Sequence, residues 1–189
     1  MALIQSTAIP SGATDYELEQ SLKFNDDNSA YLSWTPASAG NRKTWTFSVW
    51  VKRGNLTGTE LYVLTSGTGN SGWSDFIRFN GDNTLTFSVS KSNASNGRLT
   101  TNQVFRDTSA WYHIVGVHDS SNSTAGDRIR LYVNGLRLTS TDLSTETMPS
   151  LNDDALFFNN NGEHGLGKFI YNSTGYLDGY LSEVNFIDG

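Results

Sequence analysis

The chain has no cysteine, only three prolines and two methionines, and just three histidines in 189 residues. Without cysteine there can be no disulfide framework, and the redox compartment is left open. No apolar run approaches the roughly 20 residues that a membrane-spanning helix needs. Nothing before Lys23 is positively charged, and no apolar core of a signal peptide is visible, so no leader is expected. Basic residues never run longer than two, and the net charge is −6, which argues against nucleic acid or an anionic membrane as partner. A convincing 3.6-residue hydrophobic period is also missing, so helices are not expected.

What is present favours strands and turns. Asn, Ser and Thr make up about a third of the residues, and there are 18 glycines. Hydrophobic content of 37% with 12% aromatics is enough for a packed core. The length fits one sizeable all-β domain. The clearest stretch is Trp111 to Leu138. Trp111 to His118 alternates with a period of two, a polar loop runs from Asp119 to Asp127, and Arg128 to Val133 alternates again. Asn134-Gly135 then supplies two residues that tolerate positive φ, as a type I′ hairpin turn requires. That register opposes Val133 to Leu136 and Leu131 to Leu138 on one dry face, which a second sheet must cover.

Other strands are expected around it. Tyr16 to Phe24 alternates, NDDN at 25–28 turns the chain, and Ala30 to Trp34 is a short strand. Thr44 to Lys52 places Trp45, Phe47, Val49 and Val51 inward, with Thr46, Ser48 and Trp50 outward. Leu61 to Leu64 is short and apolar; Phe76 to Phe79 and Thr84 to Val89 flank a second hairpin turn, NGDN; Leu99 to Phe105 adds another strand. Thr139 to Gly162 shows little pattern apart from Ala155 to Phe158, and loops that long are often functional. Tyr176 to Ile187 changes parity, which a bulge near Ser182-Glu183 would repair. The expected burial includes Leu136 and Val184. Residues 1–14 form an uncharged arm with Leu3, Ile4 and Ile9 as docking candidates, and residues 15–189 form the sandwich.

Four pieces, SLKFNDDNSAYLSW, TWTFSVWVKRG, WYHIVGVHD with DRIRLYVNGLRL, and YLDGYLSEVNFID, resemble the concanavalin A-like, laminin G-like jelly-roll superfamily over about Ser21 to Asp188. The resemblance implies an all-β, antiparallel two-sheet jelly-roll sandwich. The wording of LKFNDDNSAYL and LDGYLSEVNFIDG is also similar to domains of marine bacteriophage virion proteins. From this we expect a non-enzymatic virion structural protein, such as a fibre, appendage or decoration subunit. It would be attached to other virion proteins through its arm, homo-oligomeric, and display a lectin-like domain toward host-surface glycans. The alternative is a soluble carbohydrate-binding module, with calcium-dependence open. A glycan hydrolase is third.

Catalysis finds little support in the residues. The resemblance extends to glucanases, whose acids stand on one strand as Glu-x-Asp-x-x-Glu, and no such string occurs here. Glu17-x-Glu19 comes nearest and lacks the third acid. There is no G-x-S-x-G either. Calcium, which relatives often hold with loop oxygens, would find hard ligands at Asp26, Asp27 and Asn28, or at Asn152, Asp153 and Asp154. Neither cluster has metal-loop spacing, and Asp/Asn pairs mark ordinary turns, so no metal site or cofactor is assigned. For sugar contact the candidates are Trp50, on the polar face of its strand, and Trp73, in a Gly-rich loop. His113 and His118 are read as structural.

Overall fold

A computed structural model of the chain describes residues 18–67, 74–91 and 94–189. In chain order the strands are β1 (Leu22–Phe24), β2 (Leu32–Trp34), β3 (Thr44–Arg53), β4 (Leu61–Gly67), β5 (Ser74–Phe79) and β6 (Thr84–Lys91). They continue as β7 (Ala94–Val104), β8 (Tyr112–Asp119), β9 (Ile129–Val133), β10 (Leu136–Arg137), β11 (Leu143–Thr147), β12 (His164–Leu166) and β13 (Gly179–Asp188). The described helical residues are three single 3₁₀ turns.

The strands form two antiparallel sheets. One has six strands in the order β1-β13-β3-β8-β9-β10, the other seven in the order β11-β7-β6-β5-β4-β12-β2. Crossovers between sequence-distant strands, such as β13 between β1 and β3, make this a jelly-roll sandwich. Between the sheets lie Trp45, Phe47, Val49 and Val51 of β3, Ile77 and Phe79 of β5, Phe87 of β6, and Leu131 and Val133 of β9. The period of two on β3 and β8 thus becomes strict alternation of buried and half-buried residues.

The Asn134-Gly135 turn has φ of 50° and 80°, and it pairs Val133 with Leu136 and Tyr132 with Arg137 as the sequence indicates. Two expected core residues are not buried. Leu136 is 73% exposed, because β10 is the two-residue terminal strand of its sheet and only Leu138, beyond it, packs against the core. Val184 is 38% exposed because it falls in the β13 bulge. The register shifts between Ser182 and Asn185, Glu183 takes φ of 49°, and the strand resumes with Phe186 stacked on Trp45. The bulge itself lies where the change of parity predicts it.

The patternless stretch after Leu138 contains two strands that sequence periodicity does not reveal. β11 is an edge strand, mostly exposed on both faces, so it has no alternation to read. β12 is three buried residues wedged between β2 and β4. The loops around them cover β4, which is buried along its whole length: Thr65 Oγ1 donates to the Lys168 carbonyl at 3.0 Å and Ser66 Oγ to that of Glu163 at 2.9 Å. Beneath them the Asp75 carboxylate accepts from the backbone N–H of Ser90, Phe157 and Phe158 at 2.6–2.9 Å, tying the long loop to β5 and β6.

Candidate functional site

The outer face of the seven-stranded sheet carries the chemistry. Inward residues of β5 and β6 (Ile77, Phe79, Leu85, Phe87) leave Phe76, Arg78, Thr86 and Ser88 pointing away from the core. On β4 the core residues Leu61 and Val63 leave Tyr62 on the same outer side, before a register shift between Tyr62 and Leu64. Pairing then aligns two rows across the strands. One reads Tyr62, Arg78, Thr86, Thr100; the other reads Thr65, Phe76, Ser88, Arg98. Of these, Tyr62, Phe76, Arg78 and Arg98 border a cavity of about 300 Å³ together with Glu60, Ser74, Ser90 and Phe169.

Arg78 anchors the first row. Its Nη1 donates to Tyr62 Oη at 2.7 Å and lies 2.7 Å from Glu60 Oε1, and its Nε donates to Asn80 Oδ1 at 3.0 Å. The Tyr62 hydroxyl donates in turn to Glu60 Oε2 at 2.9 Å. Burial pushes the Tyr62 phenol up to about 12, with nearby Arg78 pulling the other way, so Tyr62 stays protonated at neutral pH. The Tyr62 ring stacks on Phe169 with centroids 4.6 Å apart. Both guanidiniums lie over Phe76, Arg78 at 4.5 Å and Arg98 at 5.8 Å from the ring centroid. Arg98 Nε reaches Ser88 Oγ at 3.5 Å. Arg98 is held below the ordinary arginine range, first by burial and then by the like charge of Arg78. The site is therefore a polar groove floored by aromatics, with fixed donors and hydroxyls.

The residues that sequence reasoning singled out lie elsewhere. Trp50 is half-buried on the outer face of the six-stranded sheet, stacked on His113 at 4.8 Å, with the His113 ring 2.9 Å from Ser48 Oγ. Trp73, the arm residues Leu3, Ile4 and Ile9, and Glu17 lie outside the described residues. Asp26 and Asp27 build a 3₁₀ turn: Asn25 Oδ1 accepts from the Asp27 N–H, and Asp26 Oδ2 accepts from Asn55 Nδ2 at 2.9 Å. Asp153 Oδ2 accepts from Asn96 Nδ2 and from the Ser150 N–H. Among the described residues, no three His, Asp or Glu side chains converge on a point where a metal could bind. Sequence reasoning missed the groove, although the parity of Phe76-Ile77-Arg78-Phe79 already puts an aromatic and a cation on the outer side. What was not readable was that Arg98 comes beside them, because its pairing follows two further hairpins.

A second depression, about 340 Å³, opens between the sheets where both terminate, at β1 and β2. Leu22, Leu32, Leu166, Leu181 and Val184 line it, and the chain enters there from residues 18–20.

Two antiparallel sheets with this strand order and a groove on one outer face define a lectin-type sandwich. The chain belongs to the concanavalin A-like lectin/glucanases superfamily, whose family model matches residues 26–189. The native heptameric SAP-like pentraxin of Limulus polyphemus is similar, with TM-score 0.56, 16% identity, and coverage of 82% of this chain and 68% of that one. Domains LG4-5 of the mouse laminin alpha1 chain are similar too, with TM-score 0.56, 13% identity, and coverage of 87% of this chain and 40% of that one. The CBM40 of a Ruminococcus gnavus IT-sialidase, solved with alpha2,3 sialyllactose, has TM-score 0.53, 10% identity, and coverage of 82% and 91%. At these identities the likeness is one of fold. No curated relative matches the chain by sequence.

Proposed function

We propose that this protein is a non-catalytic glycan-binding module that takes its ligand in the groove on the seven-stranded sheet. The observation that carries the reading is the pair of aligned rows, which bring Tyr62, Phe76, Arg78 and Arg98 together with the hydroxyls of Thr86, Ser88 and Thr100. Fixed hydrogen-bonding groups held in an open groove suit a saccharide, which presents hydroxyls at its rim. The R. gnavus module, with the same fold, was solved holding a saccharide. Hydrolysis is disfavoured by the groove's composition. A glycosidase needs two carboxylates across the scissile bond, and the lining residues contribute one, Glu60, already engaged by Arg78 and Tyr62.

The wider reading places this module on a bacteriophage particle, attached through residues 1–14 and displaying the sandwich outward for host-surface adhesion. It is supported by the phage-like wording of LKFNDDNSAYL and LDGYLSEVNFIDG and by the apolar residues Leu3, Ile4 and Ile9. The exposed Leu22, Leu32 and Val184 around the cleft near residue 18 give an apolar surface beside the root of that arm. Calcium has no part in this reading of the groove. The test is a glycan array with the full chain and with Tyr62→Ala and Phe76→Ala. Binding to at least one glycan class, lost in both folded variants, is expected. Array binding that both variants retain would place the ligand elsewhere and sink the groove as the site.

A further inference from the structure

The charges of the groove do not cancel. Arg78 has its counter-ion in Glu60 and its Nη1 and Nε hydrogen bonds to Tyr62 and Asn80. Arg98 has no carboxylate within ion-pair distance among the described residues, and the one hydrogen bond its guanidinium makes among them is the long one from Nε to Ser88 Oγ. Its two terminal nitrogens are left without a partner there. The groove thus holds two guanidiniums against one carboxylate, in a chain whose net charge is −6. A lone cation on the surface of an acidic protein would ordinarily gain a carboxylate neighbour. Here, after burial, the like charge of Arg78 lowers the affinity of Arg98 for its proton by more than the more weakly acting Glu60 carboxylate raises it.

The aromatics point the same way. A neutral sugar typically lays its C–H face on an open ring. The Phe76 ring is roofed by both guanidiniums, and one face of Tyr62 is taken by Phe169. What the groove offers a ligand is the terminal guanidinium N–H donors of Arg98, since the Tyr62 hydroxyl is held by Arg78 and Glu60 and that of Ser90 by the Ser74 carbonyl. The two terminal nitrogens of a guanidinium form a fork that matches the two oxygens of a carboxylate or sulfate.

We propose that the groove is selective for an acidic saccharide, whose carboxylate or sulfate group sits on the Arg98 guanidinium with Arg78 alongside. This rests on the glycan-binding reading above and adds the charge of the ligand to it. The anion supplies the counter-charge that the protein withholds.

The experiment compares matched polymers that differ only in charge. The full chain is titrated with dextran sulfate against dextran, and with polygalacturonate against its fully methyl-esterified form. At least one charged polymer should bind at least tenfold more tightly than its neutral match, and binding should weaken as salt rises. The sulfate and carboxylate arms tell the two anions apart, since only carboxylate binding should fade as pH falls below about 4. Arg98→Gln should lose tenfold or more at unchanged melting temperature. Arg98→Lys should recover part of the loss, since it keeps the charge without the fork. Lys52→Gln, a charge removed from the other sheet, should lose little. Equal losses from Lys52→Gln and Arg98→Gln would show unspecific attraction and overturn the inference. Neutral and charged polymers binding alike, with Tyr62→Ala abolishing both, would overturn it while leaving glycan binding intact. Failure to bind any polymer or any array glycan would overturn both.

Discussion

His118 and Asp75 are buried titratable groups whose effects on stability run in opposite directions with pH. His118 stacks between the sheets against Trp45 at 5.3 Å, and burial lowers it to about 4. The unfolded chain therefore takes up this proton first as pH falls, so the stability His118 contributes is complete above about 6.5 and is lost toward pH 4. Asp75 is fully buried, and loss of solvation raises it to about 6 despite three backbone N–H donors. Its folded form binds the proton more tightly than the unfolded one, so its contribution is largest below about 4 and declines as pH rises to about 6. The two slopes partly cancel in the parent. His118→Phe should preserve the stack and remove only the histidine's part. Relative to the parent, the variant should gain roughly 3 kcal/mol between pH 7 and pH 4, a figure that follows from about 1.4 kcal/mol per pH unit. Denaturant midpoints at the two pH values check this; a variant that tracks the parent at both would show that His118 is not buried neutral.

Among elements, the two turns that matter most use glycine for different reasons. Gly135 has φ of 80° with nothing within 4 Å of a would-be Cβ, so Gly135→Val meets only backbone strain. Gly179 opens β13, and a Cβ there would lie 2.1 Å from the Lys52 carbonyl oxygen across the pair. Gly135→Val should cost about 1–2 kcal/mol and Gly179→Ala roughly 3 kcal/mol or more, since a backbone atom cannot give way. Thermal melts of both variants order them; the reverse order would contradict the β13–β3 register. The elements that were legible in the sequence share a physical cause. β3, β8 and β9 have one face in the core and one toward solvent, so their alternation is visible. The β4 strand, covered on one face by the core and on the other by the loop around Lys168, shows no alternation, and the exposed edge strand β11 shows none either. Tyr62 sits inside that unpatterned apolar run, so its place on the outer face is not readable from the sequence.

At the scale of the molecule, the sandwich leaves three surfaces of different character. The outer face of the six-stranded sheet presents Trp50 with its ring already laid on His113, which spends the stacking surface that made it a sugar candidate. The cleft between β1 and β2 is apolar and lies where the chain enters from the arm. The seven-stranded sheet holds the arginine groove. If the arm is the attachment device and the groove the adhesive one, the two are separable. Deleting residues 2–14 should leave the melting temperature and glycan binding of the isolated chain nearly unchanged while abolishing its recovery with purified particles after sedimentation. Recovery of the truncated chain at parental levels would refute attachment through the arm and favour a free module. The fold was legible because one hairpin and one closing strand carry their register in sequence. The groove was not, because its rows join Tyr62, Arg78 and Arg98 across four strands, and proximity of that kind exists only once the register is built.

The most direct test of the central claim is an amide chemical-shift titration of the labelled chain with whichever glycan the array selects. Saturable shifts should map to residues 60–62, 76–78, 86–90 and 98–100, with the amides around Trp50 and His113 unmoved. Shifts confined to the six-stranded sheet or to the cleft at Leu22, with the groove silent, would contradict the account.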